Sequence, residues 1–186
     1  EIATNYMRGM MSAPAWNSDE GVAMRLAMSI LGDRFFVEIR TKRSLSYAPA
    51  AFYSSGVIGN PYNTIYVSTD RPEESIEVMV AEINSIKKEG FNQSELDGKK
   101  EEFLTDYYMG QESSASQSQS LAMAEIAGDY EWINSLSDKV DKVNIGELNR
   151  TFNKYTGAIN WIYLGNPEDV EDKDFLQTKK YKNTPY

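Results

Sequence analysis

The 186-residue sequence contains no cysteine and no histidine. Without Cys, a disulfide framework, a zinc ribbon and a thiol nucleophile are all excluded. Without His, the commonest general base and the commonest zinc ligand are both missing. A Ser-His-Asp arrangement therefore cannot form within the chain. Carboxylates and carbonyls are the metal ligands that remain, and these suit hard ions rather than structural zinc. Positive charge is also scarce. Lys and Arg number 19 against 28 Asp and Glu, a net charge of −9. That balance argues against a nucleic-acid or anionic-membrane surface, which needs clustered Lys and Arg. No apolar run is long enough to span a bilayer. There is no Gly-rich phosphate loop and no internal repeat. The chain opens Glu1-Ile2-Ala3, without an initiator Met or a signal peptide, as expected of a mature segment or an excised domain of a longer protein. The absence of Cys leaves the compartment open, so a bacterial periplasm and a cytoplasm both remain possible.

Apolar residues make up 41% of the chain and charged residues 25%. This is an ordinary globular balance, and the length suits one domain with a sizeable core. Thr4–Met11 alternates as a strand, with Tyr6, Arg8 and Met10 on one face and Met7, Gly9 and Met11 on the other. Asn17-Ser18-Asp19 supplies N-cap chemistry for a helix. Gly21–Leu31 is apolar on most sides, so that helix is buried. Phe35, Phe36 and Ile39 carry it to about Thr41, and Gly32 marks a bend or a close contact. Tyr47–Ser55 reads as a strand, and Pro49 places it at an edge or a bulge. Thr64–Thr69 is a strand. Asp70-Arg71-Pro72 opens a helix with Ile76, Met79, Val80 and Ile83 on its buried face. Asn92-Gln93-Ser94-Glu95 opens the next helix. Gly110–Ser120 reads as a polar loop or corner. Leu121–Ala127 and Tyr130–Leu136 are short helical pieces, Asn144–Phe152 is a last helix, and Ala158–Leu164 is a clear strand. Strands first and last, with helices clustered between them, predict an α+β domain. Its sheet is expected to be mainly antiparallel, with helices packed on one face. The expected domain covers 1–167, with a polar tail over 168–186.

The stretch Leu31–Ala51, LGDRFFVEIRTKRSLSYAPAA, organises the chain. It reads as the end of the buried helix, a turn and a strand entry, with Arg40 and Tyr47 at the two sides of the corner. The order Arg-Thr-Lys-x-x-Leu-x-Tyr after a long apolar helix resembles the C-terminal half of the pitrilysin, insulinase and mitochondrial processing peptidase family. These are zinc peptidases with an inverted H-x-x-E-H motif. The resemblance covers roughly Ile2 to Asn166 by element order and is specific at residue level only around Arg40–Tyr47. It implies the same α+β fold. It also implies a division of labour, in which a zinc-bearing half with H-x-x-E-H, on the same chain or a partner subunit, carries the metal. This half then carries none, is inactive alone, and uses Arg40 and Tyr47 as substrate-binding residues for an extended peptide. Such a peptide can add to a sheet edge by backbone pairing.

The residue chemistry is compatible with that role. Arg offers a fork of donors with permanent charge, and the Tyr phenol adds another donor. Together they could hold two carbonyls, or an oxyanion formed from one. The structural alternatives stay open at this stage. An Arg in the last turn of a helix can simply satisfy free carbonyls, and a Tyr at a strand entry can simply pack on the sheet. At the level of function, the alternative is a non-catalytic scaffolding domain of the same fold. Lys42 and Arg43 read as solvated turn charges. Glu73-Glu74 and Glu101-Glu102 are surface pairs whose members point about 100° apart on a helix. Asn92-Gln93-Ser94 and Asn149-Arg150-Thr151 match the glycosylation pattern. Tyr53, Tyr62 and Tyr66 read as core, with a groove lining as the second possibility.

Overall fold

The computed structural model describes residues 4–56, 59–126 and 128–170. The elements run β1 (Asn5–Ser12), α1 (Asp19–Phe35), a π-helical turn (Phe36–Thr41), β2 (Ala50–Ser54), β3 (Tyr62–Thr69), α2 (Pro72–Glu89), α3 (Gln93–Gly110), α4 (Ser114–Ile126), α5 (Glu131–Lys142), α6 (Ile145–Tyr155) and β4 (Asn160–Leu164). The four strands form one antiparallel sheet in the order β2-β3-β1-β4. The fold is the expected α+β domain. β2 and β4 are its edges, in keeping with Pro49 just before β2.

One face of the sheet is apolar and covered. Met7 and Met11 of β1, Ile65 and Val67 of β3 and Ala51 of β2 are buried there, and Trp161 and Tyr163 of β4 pack against the same core. The opposite face carries exposed Tyr6, Phe52, Ile162 and Leu164. Alternation along each strand produces this division. α1 lies at the centre of the covering layer. Ser18 caps it, its hydroxyl accepting the Gly21 N–H at 3.0 Å. Met24, Leu26, Met28, Ile30 and Leu31 are buried along its length. At Gly32 the helix comes so close to β2 that an added Cβ would lie 3.3 Å from the Ala51 carbonyl oxygen. The expected close contact at Gly32 is therefore one of helix against sheet.

Two local expectations are corrected. Of the loop or helix corner expected over Gly110–Ser120, only the corner at 111–113 is present, because α3 runs to Gly110 and α4 starts at Ser114. The Ser113 hydroxyl accepts the Ser116 N–H at 3.1 Å, so a serine run that favours caps and turns launches a helix. The second correction is that Tyr47 lies outside any strand. β2 begins only at Ala50, because Pro49 has no N–H to give a ladder. Of the tyrosines, Tyr53 packs on the core and donates its hydroxyl to the Pro14 carbonyl at 3.0 Å. The Asn92 side chain caps α3, and the Asn149 side chain accepts the Phe91 N–H, so both glycosylation patterns hold asparagines with internal partners. Near the end of the described chain, the Asp169 carboxylate accepts from Asn5 at 2.9 Å, and Val170 is buried. Of the expected polar tail, 171–186 lies outside the described residues.

Candidate functional site

The corner between α1 and β2 begins with a change of helix type. At Phe36–Thr41 the bonds widen to a π-helical turn, and the Lys42 N–H reaches back to the Val37 carbonyl at 2.9 Å. The wider turn buries Ile39 and leaves Phe36 and Val37 exposed. Single π-turns of this kind occur often at functional positions. The turn is closed by Ser44, the one non-glycine residue with positive φ (51°) among the described residues. The Ser44 N–H bonds the Arg40 carbonyl at 3.1 Å, and the Leu45 N–H bonds the Ile39 carbonyl at 2.9 Å. Leu45 is buried and pins the far side of the corner.

Arg40 and Tyr47 meet on this corner. The Arg40 guanidinium lies over the Tyr47 ring, 4.2 Å from its centroid, and 4.7 Å from the Phe36 ring centroid. It is thus held between aromatic faces by cation–π contacts. Tyr47 is 79% exposed, so its hydroxyl reaches solvent. No described carboxylate or carbonyl bonds the Arg40 guanidinium, which leaves its N–H fork free. The reading of Arg40 as a satisfier of helix-end carbonyls is therefore not realised. Those carbonyls are served by backbone N–H groups and by Arg43.

The neighbouring cations are spoken for. The Glu38 carboxylate accepts from Lys42 at 2.5 Å and from Arg43 at 2.6 Å, and Arg43 also donates to the Glu38 carbonyl at 2.8 Å. Hydrogen bonds from Lys42 and then Arg43 hold the Glu38 carboxyl below its ordinary range. One carboxylate thus engages both Lys42 and Arg43, and among the cations of the turn Arg40 alone presents an open guanidinium.

Two further arginines position the corner. Arg71, just before α2, donates to the carbonyls of Arg43 and Ser44 at 3.1 and 3.3 Å and latches the turn from outside. Arg34, in the last turn of α1, donates to both Glu95 oxygens at 2.7 and 2.8 Å and to Glu82 at 2.9 Å. It ties the end of α1 to α2 and α3, immediately before the turn that carries Arg40. Sequence reasoning missed both residues. Their partners lie on other elements, and only the Asn92–Glu95 capping box was legible beforehand.

No group of His, Cys, Asp or Glu among the described residues could hold a metal ion. None of the helices there is long and apolar enough to cross a membrane.

Comparison with known proteins follows the same outline. Residues 4–103 match the family described as Peptidase M16 inactive domain. A protease from Helicobacter pylori shares the fold at a TM-score of 0.81 and 17% identity, over 89% of this chain and 42% of that one. An inactive peptidase domain from Bordetella parapertussis does so at a TM-score of 0.77 and 19% identity, over 87% of this chain and 92% of that one. The periplasmic protease PqqL from Escherichia coli follows at 0.73 and 12%, over 87% of this chain and 19% of that one. No curated protein matches the chain in sequence.

Proposed function

Since the chain belongs to the Peptidase M16 inactive-domain family, we propose that it is the metal-free, substrate-binding half of a zinc metallopeptidase that cleaves extended peptides. Zinc does not fit the residues of this chain, which has no His or Cys. The metal is assigned to a separate zinc-bearing half with H-x-x-E-H, and this half completes the active site opposite it. Its own share of the work is to hold the substrate.

One observation carries the reading. Arg40 is stacked 4.2 Å over exposed Tyr47, and its donors are unclaimed, while every other cation of the turn is paired. A guanidinium fork beside a phenol can donate to two main-chain carbonyl oxygens of an extended peptide. It can also stabilise the negative charge that grows on the carbonyl under attack. The ring stacking and the π-helical turn fix the fork in place beforehand, and such preorganisation is what makes donors effective. Recognition through main-chain carbonyls suits a loose sequence preference.

The test is steady-state cleavage of an extended peptide by this chain reconstituted with a zinc-bearing half. Tyr47→Phe deletes one hydroxyl and keeps the ring under Arg40. Arg40→Ala removes the fork. Loss of a donor to a developing oxyanion typically costs about 10²–10³ in kcat. If the contact is made equally to bound substrate, KM rises and kcat stays. Wild-type kcat and KM in both folded variants would refute the role of the corner and favour the scaffolding alternative.

A further inference from the structure

Another arginine has no hydrogen-bond or ion-pair partner among the described residues, and it sits apart from the corner. Arg25 lies in the N-terminal half of α1, between the buried Met24 and Leu26. Its guanidinium carbon is 5.8 Å from the Tyr53 ring centroid and 5.6 Å from that of Phe103. It is enclosed by protein on most sides, and no hydrogen bond or ion pair reaches it from any described residue. Burial lowers its pKa, which marks poor solvation of the charge. Tyr53 does not compensate as a phenolate. Burial pushes its pKa up to about 12, and its hydroxyl donates to the Pro14 carbonyl.

Arg25 lines a cavity of about 450 Å³ between α1, α3, α4 and α5. The size falls within the range of about 300–1,000 Å³ usual for small-ligand sites. Its wall is aromatic and apolar through Trp16, Phe103, Met123 and Trp132. Trp16 and Trp132 meet edge to face at 6.1 Å. Gln119 and Ser120 add hydrogen-bonding groups at the rim. No described Asp or Glu lines the cavity, although the chain carries 28 such residues in all. Arg25 is half-buried, and a partly desolvated cation without a counter-charge is costly, with ring contacts offsetting only part of that cost. With no described carboxylate at this cation, the place is open for an outside anion.

We propose that this cavity binds a carboxylate carried on an apolar or aromatic body, with the carboxylate seated on the Arg25 guanidinium. A single planar fork matches a carboxylate in charge and geometry, and the apolar, aromatic wall suits the body that carries it. The same chemistry can come from a free organic acid or from the C-terminal carboxylate of a peptide with an apolar last residue. The inference does not depend on the Arg40–Tyr47 reading, because it concerns binding by this chain alone.

The test is titration calorimetry on the purified chain with three probes: decanoate, N-acetyl-leucyl-phenylalanine with a free carboxylate, and the same dipeptide as its C-terminal amide. At least one acid is expected to bind saturably, and the amide to bind roughly tenfold or more weaker than the dipeptide acid or decanoate. Arg25→Gln should weaken the acid by a similar factor. Gln119→Trp should block entry, and because Gln119 is exposed and unbonded, this variant keeps the test available if Arg25→Gln fails to fold. Tight decanoate with a weak dipeptide acid identifies a free organic acid as the source. A dipeptide acid as tight as decanoate, or tighter, identifies a peptide C-terminus. Saturable binding of the dipeptide acid and its amide with equal affinity, or no saturable binding of either acid at millimolar concentration, overturns the proposal.

Discussion

Replacing Arg34 by Met should loosen the end of α1 in a way that depends on pH. Arg34 gives three charge-assisted hydrogen bonds, two to Glu95 and one to Glu82. The three side chains are 23%, 25% and 17% exposed. They lie between a surface pair, worth about 0.2–1 kcal/mol, and a buried pair, whose breaking costs about 3–5 kcal/mol. Met keeps much of the aliphatic stem, so the variant reports mainly the lost charge. A destabilisation of about 2–4 kcal/mol is expected. For a chain of this size that is a fall in Tm of about 5–15 °C. Burial alone would raise the Glu95 pKa, but bonds from Arg34 and from the Asn92 N–H outweigh it and hold the carboxyl below its ordinary 4.5. A depressed native pKa contributes stability that is complete above 4.5 and is lost as the pH falls through the lowered native value. The gap in Tm between wild type and Arg34→Met should therefore be full at neutral pH and should narrow as the pH falls below the ordinary 4.5 toward the lowered native value. The double variant Arg34→Met/Glu95→Gln should recover part of the loss, since it no longer leaves that carboxylate unpaired. Thermal melts followed by circular dichroism across this range measure all three. A loss below about 0.5 kcal/mol, or a gap that stays constant into the acid range, would refute the clamp.

Two further perturbations test the backbone around α1. Gly21→Ala would drive a Cβ into the Ala15 carbonyl oxygen and against Trp16. Overpacking of about 1–3 kcal/mol should outweigh the roughly 1 kcal/mol helix preference for Ala, and a higher midpoint in urea denaturation would contradict this. At Ser44, with φ of 51°, a branched residue is strained. Ser44→Val should cost about 1–2 kcal/mol, and Ser44→Gly should be tolerated. Equal shifts in Tm for the two would remove the argument for strain at this corner.

Much of the fold was readable because local pattern and tertiary packing agree. The all-round apolar run of Gly21–Leu31 became the central buried helix, and the continuation through Phe35, Phe36 and Ile39 to Thr41 holds, although its last residues are π-helical. Parity in β1 set Met7 and Met11 on one face, and the structure shows that this face is the buried one. Where the reading failed, two local signals competed. Alternation suggested that Tyr47 enters a strand, but Pro49 delays pairing until Ala50. Ser and Gln favour turns, yet Ser113 uses that chemistry to start α4. Arg40 and Tyr47 were singled out through their spacing and a resemblance, and the structure brings them into ring contact; their role is for the cleavage test to decide. Arg25 had a signal that went unread, since a charge inside an unbroken apolar helix must find either a partner or a pocket. Arg34 and Arg71 had no such signal. Their partners are distant in sequence, and only the folded chain brings them together.

β1 is bordered by β3 on one side and by β4 on the other, and its Tyr6 pairs with Leu164. During synthesis the second edge of β1 therefore stays open until nearly the whole described chain has left the ribosome. Pairings this distant in sequence slow folding. Throughout that interval β1 offers unpaired amides and carbonyls to any extended segment nearby, the condition under which nascent chains associate wrongly. The five residues of β4, alternately exposed and half-buried, are thus what covers the second edge of β1 against such encounters, and a chain halted before Asn160 would leave that inner strand as an edge.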